Sequence, residues 1–193
     1  MTKVLLTGFE PFGTATSNPS GEIVKQISGD NIVTAILPVA YAQSAERLLA
    51  LIAEHNPDVV ICLGQAEGRT QISPETVAIN LDDARLADNE GVLRNDVKIL
   101  EGGPDAYFST LPVKEIVDAI KTAGVPAAIS LSAGAFLCNH VFYVAQNKFA
   151  GTNVRSGFVH VPLMDSQAPE FPGLPTMPLD QMVIAVRAML EVL

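Results

Sequence analysis

The stretch NIVTAILPVAYAQSAERLLALIAEHNPDVVICL, residues 31–63, decides the fold class. It predicts a strand over Asn31–Val39, an amphipathic helix over Ala42–His55 and a buried strand over Asp58–Leu63. The helix carries apolar residues at the i, i+3, i+4, i+7 and i+8 spacing, namely Ala45, Leu48, Leu49, Ile52 and Ala53. A strand, a helix and a second strand in this order are typical of a parallel pair joined by a crossover connection.

The same alternation continues on both sides of this unit. Upstream, a short apolar strand over Lys3–Thr7 precedes a helix that begins at Asn18 and Pro19. The downstream elements are a helix over Leu111–Ala123, a strand over Ala127–Leu131, a helix from Cys138, a strand over Phe158–Leu163 and a last helix with the inner stripe Met182, Val183, Val186, Met189 and Leu190. Residues 64–103 lack helical periodicity and predict a strand over Glu75–Leu81 and then a hairpin.

We therefore expect one α/β domain over residues 1–193. Its architecture is a three-layer α/β/α sandwich with a mostly parallel twisted sheet and a β-hairpin excursion. In such sheets, binding and catalytic residues collect at the carboxyl ends of the strands. Here those ends are the loops that open at Gly8, Gly64, Ala133 and Val161.

Charge and hydropathy exclude several classes of partner. Twelve Lys and Arg residues against 21 Asp and Glu give a formal net charge of -9, unlike the basic surface of nucleic-acid-binding proteins. No apolar run is long enough for a membrane-spanning helix, and the apolar run near the start is too short for a signal peptide. We expect a cytoplasmic protein with neither nucleic acid nor a membrane as a partner.

Familiar cofactor and hydrolase motifs are missing from the sequence. Its three histidines and two cysteines form no metal-ligand spacing. Neither GxSxG, GxGxxG nor GxxxxGK[ST] occurs. These observations argue against a metal site, a serine-elbow hydrolase and the common nucleotide-binding proteins.

Cys138 and His160 are candidates for nucleophilic catalysis. Cys138 lies at the predicted start of a helix, where the helix dipole stabilises a thiolate. His160 lies near the end of a late strand, from which its imidazole can reach the loop that carries Cys138. A lone cysteine among apolar residues is more often inert core, so position alone leaves both interpretations open. Cys62, inside a strand, is expected to be buried filler, and His140 is expected to face away from the Cys138 thiol.

Two further side chains are candidates by position only. If Glu75 is buried at the head of its strand, it can orient an imidazole. Arg85 can donate to a developing oxyanion. Surface exposure is the commoner state of both residue types, so the sequence leaves these roles open.

Four segments together resemble pyrrolidone-carboxylate peptidase, also called pyroglutamyl peptidase I, a family of cysteine peptidases. The segments are GFEPFG at 8–13, GQAEGRTQISPETVAIN at 64–80, SAGAFLCNHVFY at 132–143 and GFVHVPL at 157–163. They occur in the family's order and spacing and span nearly the whole chain. The resemblance implies that Cys138 is the nucleophile, His160 the general base and then acid, and Glu75 the residue that orients His160.

The resemblance also implies a substrate and a pocket. The reaction is hydrolysis of an N-terminal pyroglutamyl residue from peptides through a thioester, without a cofactor. Arg85 and the backbone amide of Cys138 match positions that stabilise the oxyanion. The positions that match the family's pocket are Phe9, Phe12, Asn18, Gln65 and Phe136.

Other implications concern assembly and one departure from the family pattern. Members of the family usually form homotetramers, which makes a homo-oligomer the expected state. Glu67 stands where the family usually has a second glycine, so we expect a narrower pocket mouth or a bias against acidic residues after the scissile bond.

Two alternatives come from other functional classes. One is a catalytically inactive relative that binds pyroglutamyl or amide ligands on the same scaffold, against which the intact Glu75, Cys138 and His160 argue. The other is an unrelated flavodoxin-type module whose apolar loops contact a flavin or nucleotide.

Overall fold

A computed structural model describes residues 2–193 of the chain. In chain order its elements are β1 (Val4–Phe9), α1 (Pro19–Gln26), β2 (Ile32–Leu37), α2 (Tyr41–His55), β3 (Val59–Gln65), β4 (Ser73–Pro74), β5 (Val77–Ile79), β6 (Ala106–Phe108), α3 (Val113–Thr122), α4 (Leu137–Phe149), β7 (Arg155–Val161), β8 (Leu163–Met164), β9 (Thr176–Met177) and α5 (Leu179–Leu190). A 3₁₀ turn over Asp165–Gln167 follows β8.

The central sheet has five strands in the order β2-β1-β3-β7-β4. The first four strands are parallel, and the two-residue β4 pairs antiparallel with β7. The predicted α/β class with a mostly parallel sheet is confirmed. Because β1, β3 and β7 are covered on both faces, they are buried at every position except Arg155 at the start of β7.

Two apolar layers enclose this sheet. Successive side chains of a strand point to opposite faces, so Leu6 joins the layer under α1, α3 and α5, while Leu5 joins the layer under α2 and α4. The three-layer arrangement is therefore as predicted. Among residues 2–193, no helix is long and apolar enough to cross a membrane.

Helix α2 exists where it is predicted but presents a different face to the core. Its buried positions are Tyr41, Ser44, Leu48, Leu51 and Ile52. Leu49, predicted to face inward, is 37% exposed. The apolar spacing is compatible with two neighbouring stripes of side chains on the helix. The stripe that packs on the core includes Ser44, whose hydroxyl is buried and donates to the carbonyl of Tyr41.

The predicted strand over Ala127–Leu131 is wrong as a continuous element. The segment runs parallel to residues 72–76 but makes only two isolated bridges, Ile72 to Ala127 and Glu75 to Ser130. Backbone hydrogen bonds flank a gap at Pro74, which has no N–H to donate. The ladder is therefore interrupted, and Leu131 is left 75% exposed.

The predicted strand over Glu75–Leu81 is divided between two sheets. Ser73 and Pro74 stay on the central sheet as β4, and β5 turns away to pair antiparallel with β6. The β-hairpin excursion is present, but the loop between its two paired strands is long, because it contains residues 80–105. One antiparallel bridge, Asp82 to Val97, holds this connection together.

Candidate active site

Cys138 lies in the first turn of α4, as predicted. It is the second helical residue, so its backbone N–H is one of the donors that a helix leaves without an intrahelical partner. Its sulfur rests on β3. A Cβ atom built on Gly64 would come 2.8 Å from the Sγ atom of Cys138, so the thiol occupies the space that any other residue at position 64 would need.

His160 and Glu75 form a buried hydrogen-bonded pair. The Nδ1 atom of His160 lies 2.7 Å from the Oε1 atom of Glu75, and the Glu75 side chain is fully buried. The backbone fixes the carboxylate, because the Glu75 N–H donates to the carbonyl of Phe158 on β7 at 2.9 Å. With Nδ1 engaged, the Nε2 atom of His160 is left for chemistry.

The register of the sheet brings the thiol and the imidazole to one place. His160 on β7 is the direct partner of Gly64 on β3, and the Cys138 sulfur packs on Gly64. The structure thus gathers Cys138, His160 and Glu75 at the carboxyl ends of two neighbouring strands. His140 stays apart from this group, as predicted, and Cys62 is fully buried, as predicted.

Burial controls the protonation of both reacting groups. It raises the pKa of the Cys138 thiol to about 12, with the Glu75 carboxylate adding to the rise, while Arg69 and the Cys138 backbone N–H oppose it. Burial also lowers the pKa of His160, against the opposing influence of Glu75. The helix terminus alone therefore does not lower the pKa of the thiol below its usual range, and burial favours the neutral forms of both the imidazole and the thiol.

Arg69 completes the buried cluster and was missed by sequence reasoning. Its Nη2 atom lies 2.9 Å from the same Oε1 atom of Glu75 that His160 contacts, and it also donates to the carbonyl of Ser132 at 3.3 Å. The sequence does contain a signal for the role of Arg69. A buried Glu75 requires a compensating charge, and Arg69 is the nearest cationic residue along the chain.

A small apolar cleft lies beside the thiol. Its lining residues are Phe9, Phe12, Asn18, Val39, Gln65, Phe136, Leu137 and Cys138. All five pocket positions named from the sequence are in this set. The rings of Phe12 and Phe136 are 6.2 Å apart at their centroids and tilted by 51°, so they pack on each other and form one aromatic side of the cleft.

The polar residues of the cleft have specific partners. Asn18 caps α1 by accepting a hydrogen bond from the Ser20 N–H, so it serves the helix and also lines the cleft. The Oε1 atom of Gln65 accepts from the Nε2 atom of Gln167 at 2.9 Å. Within residues 2–193, the Nε2 atom of Gln65 is buried without a partner. Gln167 lies in a proline-rich loop, and no sequence pattern indicates its role.

Arg85 and Glu67 are not among the residues that line the cleft. Arg85 is exposed on a loop whose neighbouring Asp83 N–H donates to the carbonyl of Ala135, which brings this loop against the one that leads into α4. Glu67 is exposed in the turn after β3, where the Arg69 N–H meets the carbonyl of Ala66. Neither side chain takes part in the buried cluster.

A second carboxylate and imidazole pair lies on the same helix. The Nδ1 atom of His140 is 2.9 Å from the Oδ2 atom of Asp82, and Arg94 reaches that oxygen at 2.7 Å. The Arg94 guanidinium also stacks on the Tyr41 ring, 4.4 Å from its centroid. The edge of that ring contacts Phe136. This Asp82 cluster joins the 80–105 connection to α4 behind the wall of the cleft.

A thiol at a helix start, an imidazole and a buried carboxylate define a cysteine-type hydrolase. Comparison with known proteins agrees with this class. The family model described as pyroglutamyl peptidase matches residues 2–193. The chain belongs to the pyroglutamyl peptidase family.

Individual relatives cover nearly the whole chain. A pyrrolidone-carboxylate peptidase of Aliivibrio fischeri is 46% identical over 200 residues, covering 99% of this chain and 94% of that protein. Pyrrolidone-carboxylate peptidase 1 of Ralstonia nicotianae is 47% identical over 198 residues, with coverages of 99% and 92%. The crystal structure of pyroglutamyl peptidase I from Bacillus amyloliquefaciens superposes with a TM-score of 0.94 at 44% identity, covering 97% of this chain and 92% of that one.

Proposed function

We propose that this chain hydrolyses the bond after an N-terminal pyroglutamyl residue, with Cys138 as nucleophile, His160 as base and acid, and Glu75 orienting His160. The observation that carries this proposal is the 2.7 Å contact between His160 and Glu75 on the strand next to Gly64, on which the thiol packs. Family membership supports the same reaction.

In the acylation step, the Nε2 atom of His160 takes the thiol proton as Sγ attacks the pyroglutamyl carbonyl carbon. The carbonyl π electrons move to oxygen, and a tetrahedral oxyanion forms. Its collapse breaks the C–N bond. The imidazolium returns its proton to the leaving nitrogen, so the shortened peptide departs as an amine and a thioester remains on Cys138.

Two donors are suited to the oxyanion. The Cys138 backbone N–H, in the first turn of α4, has no partner within the helix, and the Arg85 guanidinium is carried by a loop that packs against the approach to this helix. A preorganised donor of this kind contributes about 3 kcal/mol to transition-state stabilisation. Water, activated by the neutral His160, then cleaves the thioester and frees pyroglutamate.

The chemistry of the cleft suits a pyroglutamyl group. The group is a neutral, flat lactam, so it needs aromatic faces and a few hydrogen bonds rather than a carboxylate that captures an ammonium. Phe9, Phe12 and Phe136 supply the faces. The Nε2 atom of Gln65, buried without a partner among the described residues, is a donor for the lactam carbonyl.

The function is tested by chromophore release from a pyroglutamyl aryl amide under reducing conditions, with a prolyl amide as control substrate. We expect turnover of the pyroglutamyl substrate only, and none by Cys138→Ala. Folded wild-type protein that binds pyroglutamate without hydrolysing the amide would instead support the inactive binding relative.

We also propose a cytoplasmic homotetramer. A reducing compartment keeps the Cys138 thiol available for catalysis, which supports the location. Large apolar side chains on and near the excursion are exposed, including Leu86, Leu93 and Phe108 at 61%, 50% and 73%, and a second copy of this chain is the expected cover. Light scattering at micromolar concentration measures the assembly, and a monomer would contradict it.

A further inference from the structure

The Oε1 atom of Glu75 carries two partners at once. His160 approaches it at 2.7 Å and Arg69 at 2.9 Å. The carboxylate is fully buried, and the Arg69 side chain is 26% exposed, so its guanidinium lies between the cluster and solvent. The same nitrogen holds the carbonyl of Ser132, in the loop that leads into α4. Arg69 therefore contacts both the Glu75 carboxylate and the loop that leads to the nucleophile Cys138.

A carboxylate alone would make a poor partner for this imidazole. An anion at hydrogen-bond distance favours the imidazolium, and a protonated His160 cannot accept the thiol proton. A guanidinium on the same oxygen cancels most of that charge at short range. The electrostatic balance of the site thus depends on a side chain outside the Cys, His and Glu set.

We propose that Arg69 is a positioning residue of the catalytic site, whose charge offsets Glu75 and keeps His160 neutral and able to accept the Cys138 proton. This inference rests on the proposed roles of Cys138, His160 and Glu75. Arg69 acts through Glu75 and does not touch the reacting atoms.

The charged and titratable groups around His160 come from three parts of the fold. Glu75 follows β4, Arg69 lies in the loop after β3, and Cys138 is in the first turn of α4. Cys62, within β3, acts on Cys138. Burial lowers the pKa of His160, Glu75 raises it and Arg69 lowers it further. Burial and Glu75 raise the pKa of Cys138, while Arg69 lowers it. Removing Arg69 is therefore expected to raise the pKa of both His160 and Cys138.

The Asp82 cluster supplies a matched control. In each cluster an arginine contacts a fully buried carboxylate that also contacts a histidine. The exposed fractions are 26% and 27% for Arg69 and Arg94, and 6% and 7% for His160 and His140. A purely structural role predicts similar consequences for loss of either arginine. The proposed role predicts a displaced pH profile only for Arg69.

The experiment compares Arg69→Gln, Arg69→Lys and Arg94→Gln with wild type. The pH dependence of kcat/KM is measured with a pyroglutamyl aryl amide. Alkylation of Cys138 by iodoacetamide is measured across the same pH range in a Cys62→Ala background. We expect Arg69→Gln to move the acid limb of both profiles upward by about 0.5 to 1 pH unit, a modest shift because the guanidinium is partly screened by solvent.

Lysine retains the charge, so the limb of Arg69→Lys should stay at the wild-type position. Arg94→Gln should leave it unmoved as well. An unshifted limb in Arg69→Gln, or an equal shift in Arg94→Gln, would overturn the proposal. If Arg69→Gln does not fold, Arg69→Lys decides the question. A shift of the acid limb of its pH profile would also overturn the proposal. The alkylation profile requires no turnover, so it tests Arg69 even if wild type fails to hydrolyse the amide, which would contradict the proposed function instead.

Discussion

At the scale of single residues, the tightest point of the site is the contact between Gly64 and the thiol. A methyl group at this position would meet the Cζ atom of Phe158 at 2.6 Å and the Sγ atom of Cys138 at 2.8 Å. Phe158 is fully buried and cannot retreat without disturbing the core. An alanine at this position therefore has to displace both the Phe158 ring and the nucleophilic sulfur.

Gly64→Ala is expected to reduce kcat/KM by about 100-fold, because a displacement of roughly 1 Å at a reacting atom has an effect of this size. Steady-state kinetics measures it. Gly29→Ala is the control, since its added methyl meets only the flexible side chain of Ile32. Wild-type activity in Gly64→Ala would contradict the position assigned to the sulfur.

Cys62 offers a second residue-scale prediction, on stability against pH. Burial raises its pKa from 9.0 to about 11. Between these values the unfolded chain has lost the proton and the folded chain retains it, so stability is full below pH 9 and falls as the pH rises toward 11. A group of this kind contributes a slope of about 1.4 kcal/mol per pH unit.

Denaturant titrations of wild type and Cys62→Ala between pH 8 and 10.5 measure this slope. We expect a shallower decline in Cys62→Ala, whatever the constant cost of the smaller side chain in the core. The comparison is made in a Cys138→Ala background, because Cys62 contributes to the raised pKa of Cys138. The buried Tyr41 and Tyr143, whose pKa values are also raised, are present in both proteins and cancel. Equal slopes would show that Cys62 titrates normally in the folded chain.

At the scale of elements, the Asp82 cluster is the attachment of the 80–105 connection to α4. The Asp82 side chain is fully buried between His140 and Arg94. Asn139 adds hydrogen bonds from α4 to the backbone of Ile79 and Leu81. A buried carboxylate with two charged or ionisable partners is costly to disrupt one partner at a time.

Asp82→Asn should lower the free energy of unfolding by about 3 kcal/mol, because it leaves Arg94 without its counter-charge. The adjacent Asp83 has an exposed side chain, so Asp83→Asn should stay within about 0.5 kcal/mol of wild type. Urea unfolding measures both. A similar small loss in the two variants would mean that the cluster is dispensable for holding the connection.

Element boundaries show where sequence reasoning works. The helices beginning at Pro19 and Leu137 were predicted from a capping asparagine and from broad apolar character. The predicted strand over 127–131 was wrong because Pro74, in the neighbouring segment, has no N–H to donate a backbone hydrogen bond to it. A pattern within one segment carries no information about the donors of the segment that pairs with it.

At the scale of the whole molecule, the location of the site follows from the topology. Alternating strands and helices predicted function at the carboxyl ends of the strands, and the cleft and the buried cluster lie there. What the chain order alone leaves open is which side chains meet. Glu75 and His160 are 85 positions apart, and Arg69 joins them only because β4 turns back antiparallel beside β7.

The most direct measurement is intact-mass analysis of the protein quenched in acid during turnover of a pyroglutamyl aryl ester. We expect an adduct equal to one pyroglutamyl group on wild type, mapped to the peptide that contains Cys138. We expect no adduct on Cys138→Ala and slow formation on His160→Ala. An adduct on another residue, or turnover that survives in Cys138→Ala, would show that the Cys138 thiol does not carry the acyl group.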